Sequence, residues 1–169
     1  MFAARASAIV FLTTAFACQT HTMPTTKLPD SHQAHSAHST QYCPPSPVNH
    51  DEQMKIFGDF VQVFYTEKNI NGTAAHLDVN YIQHNIDVLN GRQAFVDAFS
   101  AAAGGNSTTT IVHMALQNDI AWVHYKSTTP GSPLTAIVDV FRFNGSCIME
   151  HWDVIESLPT NAPNPKALF

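Results

Sequence analysis

With 169 residues, 44% of them apolar and 12% charged, the chain suits one packed domain with appendages rather than several domains. Its formal net charge is −5, and it has no basic run and no interleaving of arginine with aromatics, which argues against a nucleic-acid partner. No repeat recurs at a fixed period, and after the first twenty residues no apolar stretch is long enough to span a bilayer.

Residues 1–20 combine Arg5, an apolar run from Ala8 to Leu12, and the small-x-small sequence Ala15-Phe16-Ala17. This pattern reads as a secretory signal peptide, so the chain is expected to be secreted or to enter the secretory pathway. The alternative is a bacterial lipoprotein anchored at Cys18, with Ala15 where such signals usually carry leucine. An oxidising compartment permits a disulfide between the other two cysteines, Cys43 and Cys147, which would staple the chain ahead of the first helix onto the terminal hairpin. Two buried free thiols are the other reading. Asn71, Asn106 and Asn144 head glycosylation sequons, which matter only in a eukaryotic host.

Residues 21–49 are rich in Ser, Thr, Pro and His without periodicity, the composition of a flexible tether. His32, His35 and His38 recur every third residue, but no cysteine or carboxylate completes a closed set of ligands, so no metal is expected there.

The folded domain is placed at 50–158, with a tail over 159–169. Asn49 and Glu52 resemble a capping box, followed by Met54, Phe57, Val61, Phe64 and Tyr65 at helical spacing, which predicts a helix over 51–68. A short helix is expected around Thr73–Leu77. Asn90 is placed as the cap of a second long helix over Gly91–Ala103, stopped by Gly104-Gly105. From there the period becomes two, predicting strands at Thr108–Gln117, Ile120–Ser127, Leu134–Phe143 and Ser146–Ile155. Helices first and a meander afterwards define an α+β fold, with helices covering one face of a curved antiparallel sheet.

The last hairpin carries Asp139, Glu150, His151, Trp152 and Asp153 on otherwise apolar strands. A carboxylate on a half-buried sheet is a candidate general acid or base, because burial disfavours its charged form. A two-residue turn at Asn144-Gly145 sets Asp139 opposite Glu150; a three-residue loop including Ser146 sets it opposite His151. The sequence leaves both registers open. Arg142 falls on the opposite strand face from Asp139, so an Asp-Arg-Asp epoxide hydrolase arrangement does not fit the spacing.

Four blocks taken together are familiar: Tyr81-Ile82-Gln83-His84-Asn85, Gly91-Arg92-Gln93-Ala94-Phe95, Val138-Asp139-Val140-Phe141-Arg142 and Glu150-His151-Trp152-Asp153-Val154. In order and spacing they resemble the SnoaL-like polyketide cyclases of the nuclear transport factor 2-like superfamily. The chain departs from that pattern at Ile86, where proline is common, and at Cys147, where lysine or arginine is frequent. The resemblance implies a cone-shaped barrel, a bent sheet wrapped around the helices with an apolar pocket between them. It implies cofactor-free acid/base chemistry on a small, polyketide-like molecule: cyclisation, isomerisation or epoxide opening. Asp139 would be the base, with His124 from the preceding strand and His84 at the pocket wall. Tyr81, Trp152, Glu150 and His151 would contact the substrate. Members often pair sheet to sheet, so a homodimer is expected. Two rival readings of the same fold are a noncatalytic binder of apolar ligands and a dimerising module whose cone is filled by side chains; pocket volume and the direction of Asp139 separate them.

Overall fold

The computed structural model describes residues 41–164 and 166–169; the expected signal peptide, Cys18, and the run His32, His35 and His38 lie outside the described residues. Helix α1 spans His50–Val61 and starts at a reciprocal cap: Asn49 Oδ1 accepts from Glu52 N at 2.9 Å while Glu52 Oε2 accepts from Asn49 N at 3.0 Å. Its buried face carries Ile56, Phe57, Phe60 and Val61. A π-helical turn, Gln62–Thr66, prolongs it, so the helical segment ends close to the expected boundary. The wider turn carries Tyr65 inward, where it is 6% exposed.

Helix α2, Ile70–Thr73, and a 3-10 turn, Ala74–His76, replace the short helix expected around Thr73–Leu77. Leu77 instead opens strand β1, Leu77–Gln83. Helix α3 spans Arg92–Ala102, and its N-cap is Gly91 at φ 100°. Asn90 does not cap it, since Asn90 Oδ1 accepts from Gln83 N at 2.8 Å and so ties the loop to the end of β1.

Strands β2 (Thr108–Gln117), β3 (Ile120–Thr128), β4 (Thr135–Asn144) and β5 (Cys147–Ser157) follow as an antiparallel meander. The sheet order is β1-β5-β4-β3-β2, with β1 parallel to β5. The α+β architecture is therefore as expected, but the sheet is mixed rather than wholly antiparallel, and it is open. The fifth strand escaped notice because its inward residues, Leu77, Tyr81 and Gln83, alternate imperfectly with Asp78 and Asn80.

The helices and the sheet's inner face enclose one core around Phe57, Phe60, Tyr81, Phe95, Val123, Phe141 and Ile148. Phe60 meets Phe141 edge to face at 4.9 Å between centroids. Each fully buried side chain of this size is worth about 1.5–3 kcal/mol.

The final hairpin adopts neither expected register. Asn144 pairs with Cys147, so the turn is Gly145-Ser146, and a register shift between Arg142 and Phe143 leaves Met149 as an extra residue on β5. Asp139 consequently faces Asp153. The turn is fixed by what lies against it. Gly145 has φ 54°, and a Cβ there would sit 2.0 Å from Ser46 O. Ser146 N donates to Ser46 O at 3.0 Å, and Ser146 Oγ donates to Tyr42 O at 2.6 Å. The disulfide Cys43–Cys147 secures the same contact, its Cα atoms 5.0 Å apart. From Tyr42 onward, the segment expected to be a tether is thus attached to the domain.

Candidate functional site

Strand alternation decides which side chains reach the interior. On β4, Asp139 and Phe141 point inward; on β5, His151 and Asp153 do; on β3, Val123 and Tyr125 do. All of these but Val123, together with Phe64 of the π turn and Phe95 and Phe99 of α3, line a cavity of about 180 Å³. One end is polar, formed by Asp139, His151, Asp153, Gln83 and Asn85; the rest is apolar or aromatic. A second cavity of about 190 Å³, toward Lys68 and Ser107, shares Phe64, Phe99, Tyr125 and Ile137 with the first.

Asp139 is 5% exposed, which answers whether it faces solvent. Tyr65 donates to its Oδ2, and its Oδ1 lies 3.3 Å from His151 Nε2. The carboxylate–imidazole pair foreseen in one register therefore forms, although across a diagonal of the ladder rather than directly. Behind the imidazole, His151 Nδ1 is 2.5 Å from Gln83 Oε1, which also accepts from Asn85 N at 3.2 Å. An oxygen already receiving a backbone N–H is an acceptor for its other neighbour too, which assigns the proton to His151 Nδ1 and turns Nε2 toward the carboxylates. Asn85 Nδ2 donates to Asp153 Oδ2.

Three phenols surround this group. Burial, reinforced by the negative field of Asp139, pushes the Tyr65, Tyr81 and Tyr125 hydroxyls well above their ordinary pKa of 10.0. They therefore stay protonated and serve as donors to negative charge, not as bases. Asp139, His151 and Asp153 each offer one ligand atom, all within 4.8 Å of one another, so the described residues include one donor set able to hold a metal ion.

Of the residues singled out from the sequence, Asp139, His151 and Tyr81 converge on this cavity. Others do not, and the expectation is corrected in each case. His124 pairs with Val138 and points to the outer face, because Val123 takes the inward position opposite Asp139. Its Nδ1 is 3.4 Å from His113 Nδ1, and its ring stacks on Phe169 at 5.6 Å. Glu150 and Trp152 are likewise outward, being the neighbours in sequence of His151 and Asp153. His84 belongs with them: its ring lies flat on Trp152 at 4.9 Å, and its Nε2 is 2.8 Å from Glu150 Oε1. Arg142 Nε donates to Glu150 Oε2 at 2.7 Å, and the bonds from His84 and then Arg142 hold the Glu150 carboxyl below its usual range. This cluster is a surface clamp between β1, β4 and β5. Tyr65, Tyr125, Gln83, Asn85 and Asp153 were not singled out as site residues. Asp153 and Tyr125 had a signal, each lying two residues from another inward position. The three sequon asparagines, Asn71, Asn106 and Asn144, are exposed.

Helices packed on one face of a five-stranded mixed sheet, with a cavity between them, form the arrangement that this chain shares with nuclear transport factor 2-like structures. No protein-family model matches the chain, and no curated protein does. Among solved structures, it is similar to an NTF2-like protein of unknown function from Mesorhizobium loti, with TM-score 0.56 and 17% identity over 66% of this chain and 98% of that one. TsrD from Streptomyces laurentii gives TM-score 0.53 and 15% identity, covering 64% of this chain and 91% of its own. A "putative polyketide cyclase" from Acidithiobacillus ferrooxidans gives 0.52 and 12% over the same shares, 64% and 91%. At these identities the likeness establishes the fold, and it agrees with the resemblance carried by the four sequence blocks.

Proposed function

We propose that the chain is an enzyme that moves a proton on a small, largely apolar molecule, with Asp139 as the base. The observation that carries this reading is the placement of Asp139: a buried carboxylate at the polar end of a largely aromatic cavity, touched by the Tyr65 phenol and the His151 imidazole. The similarity to a protein described as a polyketide cyclase supports small-molecule chemistry on this fold. A cavity of about 180 Å³ has room for one ring and its substituents, given that about 150 Å³ suffices for benzene in an engineered apolar site. A larger polyketide would have to extend into the second cavity or out of the mouth.

In an isomerisation or ring closure, Asp139 takes a proton from a carbon next to a carbonyl. The electron pair moves onto the carbonyl oxygen, and a neutral phenol such as Tyr125 or Tyr81 donates to it. In an isomerisation Asp139 then returns the proton to a different carbon; in a ring closure the carbanion attacks a second carbonyl of the substrate, and the proton goes to the alkoxide that forms. General base catalysis of this kind contributes roughly 10²–10⁴-fold, and loss of a donor to the oxyanion costs about 3–4 kcal/mol. For an epoxide, Asp139 would activate water and a phenol would protonate the opening oxygen.

The test is turnover of two probes, α-proton exchange of cyclohexanone and hydrolysis of cyclohexene oxide, by wild type and by Asp139→Asn. A loss of at least about 100-fold in the variant is expected for the accepted probe; equal rates would leave Asp139 structural and favour a noncatalytic binder.

Secretion remains part of the proposal, supported by the Cys43–Cys147 disulfide. Mass measurement of the mature chain checks it by locating the processed end. The outer sheet face, with Ile82, Trp122 and Val154 at 40%, 37% and 69% exposure, supports pairing with a second copy. Sedimentation of Trp122→Glu against wild type tests that pairing.

A further inference from the structure

We propose that Asp139, His151 and Asp153 bind one divalent first-row transition-metal ion such as Mn²⁺, and that this cation, by occupying Asp139, switches off the proton transfer proposed above. The inference rests on that reading for its functional consequence but not for the binding itself.

The donor set is one imidazole nitrogen and two carboxylates, with His151 Nε2 already 3.3 Å from Asp139 Oδ1 and the three ligand atoms within 4.8 Å of one another. Ligands at about 2.1 Å from a common metal stand roughly 3.0–3.5 Å apart. Closure therefore needs side-chain rotations on the order of an ångström, not backbone movement. Both cysteines among the described residues are tied up in the disulfide, so the site has no thiolate. An imidazole with two carboxylates suits Mn²⁺, Fe²⁺ or Zn²⁺.

Each ligand is also held from behind, as metal ligands characteristically are. Gln83 Oε1 accepts the hydrogen bond from His151 Nδ1–H, which leaves Nε2 to face the carboxylates. Asn85 donates to Asp153, and Tyr65 donates to Asp139.

Charge is the second argument. Two carboxylates, Asp139 buried and Asp153 half-buried, face one another across β4 and β5 at the polar end of the cavity, and no lysine or arginine among the described residues pairs with either; Arg142 is engaged by Glu150 on the outer face. Buried charge of one sign is costly unless it is compensated. A divalent cation compensates both carboxylates at once.

The third observation is independent of the acidic groups. Gln83 is 8% exposed and lines the same cavity, yet its Nε2 has no hydrogen-bond partner. A buried amide donor left unpaired forfeits its hydration with nothing in return. An oxygen ligand completing the metal's coordination, such as water or a substrate oxygen, would satisfy it.

The consequence for chemistry follows from lone pairs. A carboxylate oxygen committed to a metal no longer accepts a proton from carbon, so metal-loaded protein is the inactive form of the proposed enzyme.

The experiment is titration of isotopically labelled full chain with MnCl₂, reading paramagnetic broadening residue by residue by NMR. Substoichiometric Mn²⁺ should first broaden signals around Asp139, His151 and Asp153. Asp153→Asn, which preserves shape and an acceptor for Asn85, should weaken binding at least tenfold while spectral dispersion stays native. Gln83→Leu should weaken it about 10–100-fold. His113→Ala with His124→Ala, on the outer face, should change nothing in the cavity.

Broadening confined to His113, His124 or other exposed histidines, with the cavity signals untouched, would overturn the proposal, as would full cavity binding by Asp153→Asn. If Mn²⁺ fails to bind but Asp139-dependent turnover is observed, the metal site falls and the proton-transfer reading stands. If Mn²⁺ binds in the cavity and Asp139→Asn turns over normally, the metal site stands, while the inhibitory role and the acid/base reading both fall.

Discussion

Removing the disulfide should be the most costly single change to stability outside the aromatic core. Cys43 and Cys147 are 3% and 0% exposed and 104 residues apart in sequence. In the chain-entropy model, closing a loop of n residues removes about 2.1 + 1.5R ln n cal/mol/K from the unfolded ensemble, or about 4.7 kcal/mol at 25 °C for a loop of this length. The bond also holds the Tyr42–Val48 segment where Ser46 and Ser146 exchange hydrogen bonds. The perturbation is Cys43→Ala with Cys147→Ala, which leaves no buried polar group behind, and the assay is urea unfolding followed by circular dichroism. The expected loss is about 4–5 kcal/mol, and lost sulfur packing adds to it in the same direction. A loss below about 1 kcal/mol would refute the reasoning, because it would mean that the bond restrains almost nothing in the unfolded chain.

Gly145→Ala should cost about 2 kcal/mol or more in the same assay, since it puts an L residue at φ 54° and a Cβ 2.0 Å from the Ser46 carbonyl oxygen. Burial lowers the pKa of His76 from its ordinary 6.5 against the opposing pull of Asp59, so the unfolded chain takes up the proton more readily than the folded one. Stability should be fully present above about pH 6.5 and fall as the pH drops below it, and His76→Gln should flatten that part of the profile. Tyr125→Phe removes a cavity phenol placed to donate to the oxyanion and should lower kcat on the accepted probe by about 100-fold with little change in KM; an unchanged kcat would make Tyr125 a core residue only.

The sequence was legible where one physical signal dominated. The capping box at Asn49 and Glu52 and the apolar spacing after it set the first helix, and period-two alternation placed all four strands of the meander within about two residues. The hairpin register was not legible, because it depends on a bulge at Met149 and on the packing of Ser46 against Gly145, contacts made by residues about a hundred positions apart. That error propagated into the site. Once Asp139 pairs with Asp153, alternation sends Glu150 and Trp152 outward, and His84 follows them to the surface. His124 failed for a related reason: its neighbours Val123 and Tyr125 take the inward positions, and the apolar run Ala121, Val123, Tyr125 already marked that face. Asp139 itself survived because an acidic residue between Val138 and Val140 is conspicuous whichever partner it meets.

The most direct measurement of the central claim is solvent deuterium incorporation at the carbon next to the carbonyl of cyclohexanone, followed by NMR in D₂O for wild type, Asp139→Asn and His124→Ala. Proton transfer at the inner carboxylate predicts rapid labelling by wild type and by His124→Ala, and a rate lower by at least about 100-fold for Asp139→Asn. Labelling that survives in Asp139→Asn but is lost in His124→Ala would contradict it.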